Sequence, residues 1–191
     1  MARLLLVPDT NPALRDREQK ELSPMDRIST IEFAIHNEAK ETAYYLAEAA
    51  RSKNPVTRLL FSNLAKDEQE HVEKIKVLHK ELVASGTWPE DVPIHMADTN
   101  VMAALDQIGK NHASTAVHDD DDIRALNRAV EVEKEGKDLY VKLAASSQTE
   151  TERNFFEFLA RIEDQHLKSV VDSLQYLEDP EGWYLAKGCG C

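Results

Sequence analysis

Four stretches of the chain repeat apolar residues in steps of three and four, the spacing that lays one stripe along an α-helix. The second stripe carries Leu60, Leu64, Glu68, His71, Ile75, Leu78 and Leu82, and the fourth carries Phe155, Leu159, Glu163, His166, Val170 and Leu177. The first reads Ile31, Ile35, Glu38, Tyr45, and the third reads Leu126, Val130, Glu133, Tyr140. Local signals set the ends of these helices. Ser23, with Pro24 in the first turn, opens a helix that runs to about Lys53. Asn54 and Pro55 repeat that signal and open a second, which Ser85 and Gly86 close after about Ala84. The acidic run 119–122 suits the start of the third, which reaches about Ser146. Thr149 and Glu152 have capping-box spacing and open the fourth, which ends near Asp179 and Pro180.

The connections are short, long and short. This predicts an all-α fold, a four-helix bundle with one long crossover and ferritin-like topology. Hairpins at 23–85 and 122–179 would flank a crossover at 86–121 that is broken by Pro89 and Pro93 and holds a short helix around 100–110. The bundle is expected over 23–184, after an N-terminal segment 1–22 and before a tail 185–191. Sliding the first hairpin onto the second by 95 positions needs no gap. Ala34 then meets Ala129, Glu38 meets Glu133, Tyr45 meets Tyr140, Phe61 meets Phe156, Glu68 meets Glu163 and His71 meets His166. Shared helical periodicity explains matched core positions. It explains a matched Glu, Glu, His and Tyr set poorly, so the sequence reads as a duplicated helical hairpin.

Glu68 and His71 are three residues apart and share one helix face, as do Glu163 and His166. With Glu38 and Glu133, four carboxylates and two imidazoles sit inside apolar stripes. Burying such carboxylates without partners costs several kcal/mol each, and together they repel. Two divalent cations would balance the four carboxylate charges. A lone Glu-x-x-His in an acidic protein with seven His carries little weight, but two at equivalent positions with matching Glu on partner helices point to metal. His36, His79, His95, His112 and His118 have no ligand spacing and read as surface or loop residues.

Composition narrows the function classes. The formal net charge of -12 argues against nucleic acid and against an anionic membrane surface as partners. The only two cysteines are Cys189 and Cys191, so no disulfide framework can form in the core, as suits a reducing cytoplasm. The apolar run 4–7 stops at Pro8 and is too short for a signal peptide or a membrane span, so a cytoplasmic location is expected. Oxygen and imidazole donors without core thiolates suit iron or manganese better than an Fe–S cluster or structural zinc.

These features resemble the rubrerythrin branch of the ferritin-like superfamily, in its shorter members without a rubredoxin domain. The resemblance rests on the segment Ala129-Val130-Glu131-Val132-Glu133-Lys134, the two Glu-x-x-His sites and the closing Glu178-Asp179-Pro180-Glu181-Gly182-Trp183-Tyr184. It implies two iron ions, with manganese or a mixed pair as alternatives. Glu68 and Glu163 would bridge them, Glu38 and Glu133 would be terminal ligands, and His71 and His166 would complete the set. Tyr45 and Tyr140 would donate hydrogen bonds to the carboxylates, unless they are plain core aromatics. Rubrerythrins carry a further Glu three residues after the third-helix ligand, where this chain has Gly136. Glu41 holds the corresponding position on the first helix, as a relocated ligand or as a solvated surface residue. Gly136 would leave open space beside one metal for a small oxidant. With no rubredoxin module, electrons would come from an external donor such as a rubredoxin-type protein. The terminal Gly188-Cys189-Gly190-Cys191 is either a flexible tail or a redox or metal-binding pair.

The activity implied is that of a non-haem di-iron oxidoreductase reducing H2O2 in oxidative-stress defence, with proton transfer through Glu41 or the tyrosine hydroxyls. Ferroxidase chemistry with O2 and iron handling is one alternative, and a non-catalytic metal-binding helical protein is another. A homodimer is expected, and the long crossover leaves open whether helices are exchanged between its subunits.

Overall fold

The computed structural model describes residues 27–90 and 120–186. The first 26 residues, most of the crossover with its expected short helix at 100–110, His95, His112, His118, and the Cys189/Cys191 pair lie outside the described residues. Within them the chain is an all-α bundle of four long helices and a short fifth: α1 Arg27–Arg51, α2 Pro55–Ser85, α3 Asp120–Ser146, α4 Glu150–Glu178 and α5 Pro180–Ala186. No helix among the described residues is long and apolar enough to cross a membrane.

The helix ends follow the chemistry of the residues placed there. Asn54 has extended backbone, and its side-chain oxygen accepts from the amides of Val56 at 2.8 Å and Thr57 at 3.3 Å. Pro55, which has no amide to satisfy, takes the first position of α2. Gly86 closes that helix at φ 69°, a left-handed conformation that glycine adopts without a Cβ penalty, and its N–H reaches the Leu82 carbonyl. Thr149 accepts from the Glu152 amide at 3.3 Å, and the Glu152 carboxylate reaches back to the Gln148 amide, one residue ahead of the cap. Asp179 caps the end of α4, and Pro180 directly after it occupies the first turn of α5. That helix extends to Ala186, beyond the boundary at residue 184 expected from sequence. It turns Trp183 back against Tyr176, with ring centroids 5.4 Å apart.

Packing is heaviest within the α1/α2 and α3/α4 pairs, as short connections require, and the pairs meet where α1 touches α3 and α2 touches α4. Arg51, at the end of α1, donates to the Asp121 carbonyl at 3.0 Å, and the Asp122 carboxylate at the start of α3 accepts from the Asn54 amide at 3.0 Å. The end of α1 therefore lies beside the beginning of α3, and the two helices run in opposite directions. Arg27 and Glu152 make an ion pair at 3.4 Å that ties the start of α1 to the start of α4.

The interior is layered along the bundle. One apolar cluster gathers Tyr45, Leu60, Phe61, Leu64, Leu126, Ala129, Val170 and Trp183. The other gathers Ile31, Ile75, Leu82, Trp88, Tyr140, Phe155, Phe156 and Leu159. Each draws on all four long helices. Trp88, just past the α2 cap, packs its ring against Phe155 and Phe156 at 5.6 and 6.0 Å. Polar side chains fill the layer between the two clusters.

Candidate metal centre

All six residues expected to be ligands converge in that layer. Glu38, Glu68, His71, Glu133, Glu163 and His166 are each at most 2% exposed. They fall into overlapping groups whose potential ligand atoms lie within 4.8 Å of one another: Glu38, Glu68 and His71; Glu68, Glu133, Glu163 and His166; and Glu38, Glu41, Glu68 and Glu163. Glu68 belongs to all three. Its carboxylate sits between the imidazoles, with His71 Nδ1 2.8 Å from Oε2 and His166 Nδ1 2.8 Å from Oε1. The two rings stack, with centroids 5.6 Å apart and planes 11° from parallel. His71 Nδ1 also lies 3.0 Å from Glu38 Oε2.

The tyrosines do more than pack. Tyr45 on α1 donates its hydroxyl to Glu133 on α3, and Tyr140 on α3 donates to Glu38 on α1. Each fixes the carboxylate of the opposite helix pair. Burial, reinforced by the neighbouring carboxylates, pushes both phenols well above their ordinary range, so both keep the proton they donate.

Glu41 is also in the layer, at 3% exposure, which removes the solvated-surface alternative for it. Its Oε1 accepts from Asn37 Nδ2 at 2.9 Å, and its Oε2 is buried without a partner. The open space expected beside Gly136 is not there. A Cβ on Gly136 would stand 3.1 Å from Glu41 Oε1 and 3.2 Å from the Glu163 carboxyl carbon. The missing side chain on α3 makes room for a carboxylate from α1.

Electrostatics define what this layer lacks. Two like charges 4 Å apart repel by about 4 kcal/mol at an effective dielectric of about 20, and whole domains are stable by only about 5–15 kcal/mol. Five ionised carboxylates so close therefore need cations or protons. Without metal, protons fill the role. Burial and the neighbouring carboxylates hold Glu41 and Glu163 well above the usual carboxylate range, and burial together with Glu68 lifts Glu38 to about 7. Burial opposes charge on the imidazoles, yet Glu68 and the other carboxylates beside them raise His71 to about 10 and His166 to about 9. Burial works against ionisation of Glu68 too, but the two imidazolium charges hold it far below its ordinary value.

The residues present fit metal. Oxygens of Glu41, Glu68, Glu133 and Glu163 are buried with no hydrogen-bond partner. His166 Nδ1 and Glu68 Oε1 are only 2.8 Å apart yet do not align as a hydrogen bond. Buried oxygens that converge without a hydrogen-bond partner are the arrangement a cation would satisfy. Carboxylate and imidazole donors, with no thiolate among the described residues, form a set that could hold a divalent metal ion.

Two residues near the centre carried no sequence signal used above. Asp67 Oδ2 lies 3.7 Å from His166 Nε2, on the ring edge away from Glu68. Asn37 holds Glu41. Their counterparts 95 positions on are Ile162 and Val132, so a comparison that looks for matches passes over both, whereas one that looked for polar mismatches beside the ligands would have found them. His36 is exposed, and His79 faces Glu32 at 3.3 Å near the surface, apart from the centre. No family model, curated protein or solved structure matches this chain.

Proposed function

We propose that the chain is a di-metal carboxylate protein with two iron ions, of rubrerythrin-like kind, that reduces hydrogen peroxide. The observation that carries this reading is the convergence of six independently expected ligands, with Glu41, on one buried layer where four carboxylate oxygens have no hydrogen-bond partner. Glu38 and His71 would hold one ion and Glu133 and His166 the other, with Glu68 and Glu163 shared between them. A ferritin-like arrangement built from a duplicated hairpin belongs to the same proposal. It is supported by the antiparallel placement of α1 and α3 and by the reciprocal Tyr45–Glu133 and Tyr140–Glu38 hydrogen bonds, whose partners correspond under the 95-residue shift.

Two redox-active ions held by these residues would supply two-electron chemistry toward a small oxidant, with an external donor such as a rubredoxin-type protein to restore the electrons. The chain's own residues do the rest. Tyr45 and Tyr140 lock the terminal carboxylates in place, which orients ligands and tunes the metals. In the metal-free layer Glu41, buried and raised well above the ordinary carboxylate range, holds a proton that it would give up where its unpartnered Oε2 meets an ion. The two apolar clusters exclude bulk water from either side.

Rapid mixing of the anaerobic Fe(II)-loaded protein with H2O2 or with O2 tests the reading. Oxidation much faster with peroxide is the expected result. Faster oxidation by O2 would replace it with ferroxidase chemistry, and bound metal that neither oxidant changes would leave a non-catalytic metal protein.

A further inference from the structure

The two helix pairs agree at every ligand position and differ together at two neighbouring ones. Where α1 has Asn37 and Glu41, α3 has Val132 and Gly136 at the positions 95 residues on. Asn37 and Glu41 are one helical turn apart, and the amide of the first holds Oε1 of the second at 2.9 Å. That same oxygen stands 3.1 Å from where a Cβ on Gly136 would be, and Glu163 stands 3.2 Å from it. With Oε1 held by Asn37 over Gly136, Oε2 is left buried and without a partner, in a residue whose potential ligand atom lies within 4.8 Å of those of Glu38, Glu68 and Glu163. Val132 offers α3 no donor, and Gly136 no carboxylate, to repeat this on the other side.

We infer that Asn37 is a positioning residue that holds Glu41 as a seventh, one-sided ligand, that Gly136 is the cleft admitting it, and that the centre consequently binds two divalent ions with unequal affinity. The inference rests on the metal-centre reading and adds an asymmetry that the paired ligands alone do not have. An amide donor on one carboxylate oxygen fixes the carboxylate's rotation and leaves the other oxygen to face the ion. Partners of this kind behind metal ligands typically change affinity by about 10- to 100-fold when removed.

The test is titration of the metal-free full-length chain with Co(II), following visible absorption and counting ions per chain. The wild type should take two ions in separable steps. Glu41→Gln should weaken one step by about tenfold or more and leave the other in place. Asn37→Leu, nearly the same size but without the donor, should weaken the same step by about tenfold. The double variant should bind no more weakly than Glu41→Gln, because Asn37 acts only through Glu41. Gly136→Ala should disturb that step as well, since its Cβ would press on Glu41 and Glu163. Circular dichroism checks folding, and Asn37→Ala carries the same expectation should the leucine variant misfold. Two equal steps in the wild type, no change in Asn37→Leu, or additive losses in the double variant would overturn the inference while leaving the metal centre intact. A wild type that binds no cobalt would overturn both.

Discussion

The apolar clusters and the polar layer between them use the same helices and the same stripes, and they obey opposite rules. In the clusters, Phe61 stacks on Tyr45 and Phe155 packs edge-on to Trp88, and each contact adds to the stability of the bundle. One or two turns away, the stripes carry five carboxylates and two imidazoles that are equally buried. That layer opposes folding unless something positive enters it. Such a layer costs stability, which makes the difference between the two regions a guide to where function lies.

Mutations should separate the regions. Phe155→Ala should destabilise the chain most, by about 3–5 kcal/mol, to the same extent with and without added metal, as read by urea denaturation. Glu163→Met keeps a similar volume in the polar layer and removes a carboxyl that burial pushes well above its ordinary range. It should stabilise the metal-free chain by about 1–3 kcal/mol and abolish most of the stabilisation that metal confers. Opposite signs for two equally buried substitutions are the comparison in its sharpest form.

The pH dependence should differ in the same way. Glu38 rises to about 7 in the folded chain, and His71 and His166 rise to about 10 and 9, so the folded state holds more protons than the unfolded one across that span. Stability of the metal-free protein should therefore fall as pH rises from about 5 to about 10. The depressed Glu68 acts in the other direction, but only below its unfolded value of 4.5. Metal displaces those protons, so the fall should vanish in the loaded protein, which calorimetric melting over a pH series would reveal. The smallest effect is expected from Tyr140→Phe, which removes one hydrogen bond to Glu38. It should weaken metal binding by about tenfold and change metal-free stability by about 1 kcal/mol.

The helices and the candidate ligand set are legible in the sequence because each leaves a repeated mark. Asn54 with Pro55, Gly86, and Thr149 with Glu152 are local signals that depend on backbone chemistry alone. Glu38, Glu68 and His71 recur 95 residues on, and recurrence sets candidate ligands apart from chance acidic residues. What escaped was what occurs once. Asn37 and Asp67 break the repeat, and their roles depend on which residues approach from another turn or another helix. Glu41 was visible but ambiguous, because helical spacing alone did not say whether it faced solvent or the core. Gly136 was read as a vacancy because the α1 carboxylate that fills the space comes from 95 residues away. The short α5 helix was hidden behind Pro180, a residue that ends one helix and can equally begin the next.

A polar layer built to hold two metal ions should depend on Glu68 more than on any other side chain. Anaerobic equilibrium dialysis of the full chain against Fe(II), with metal per chain measured by elemental analysis, tests it most directly when the wild type and Glu68→Ala are run together. Glu68 lies between both imidazoles and belongs to every ligand group. Two ions per chain are expected in the wild type, with tight binding lost at both positions in the variant. Equal iron in the two proteins, or none in either, would contradict this expectation.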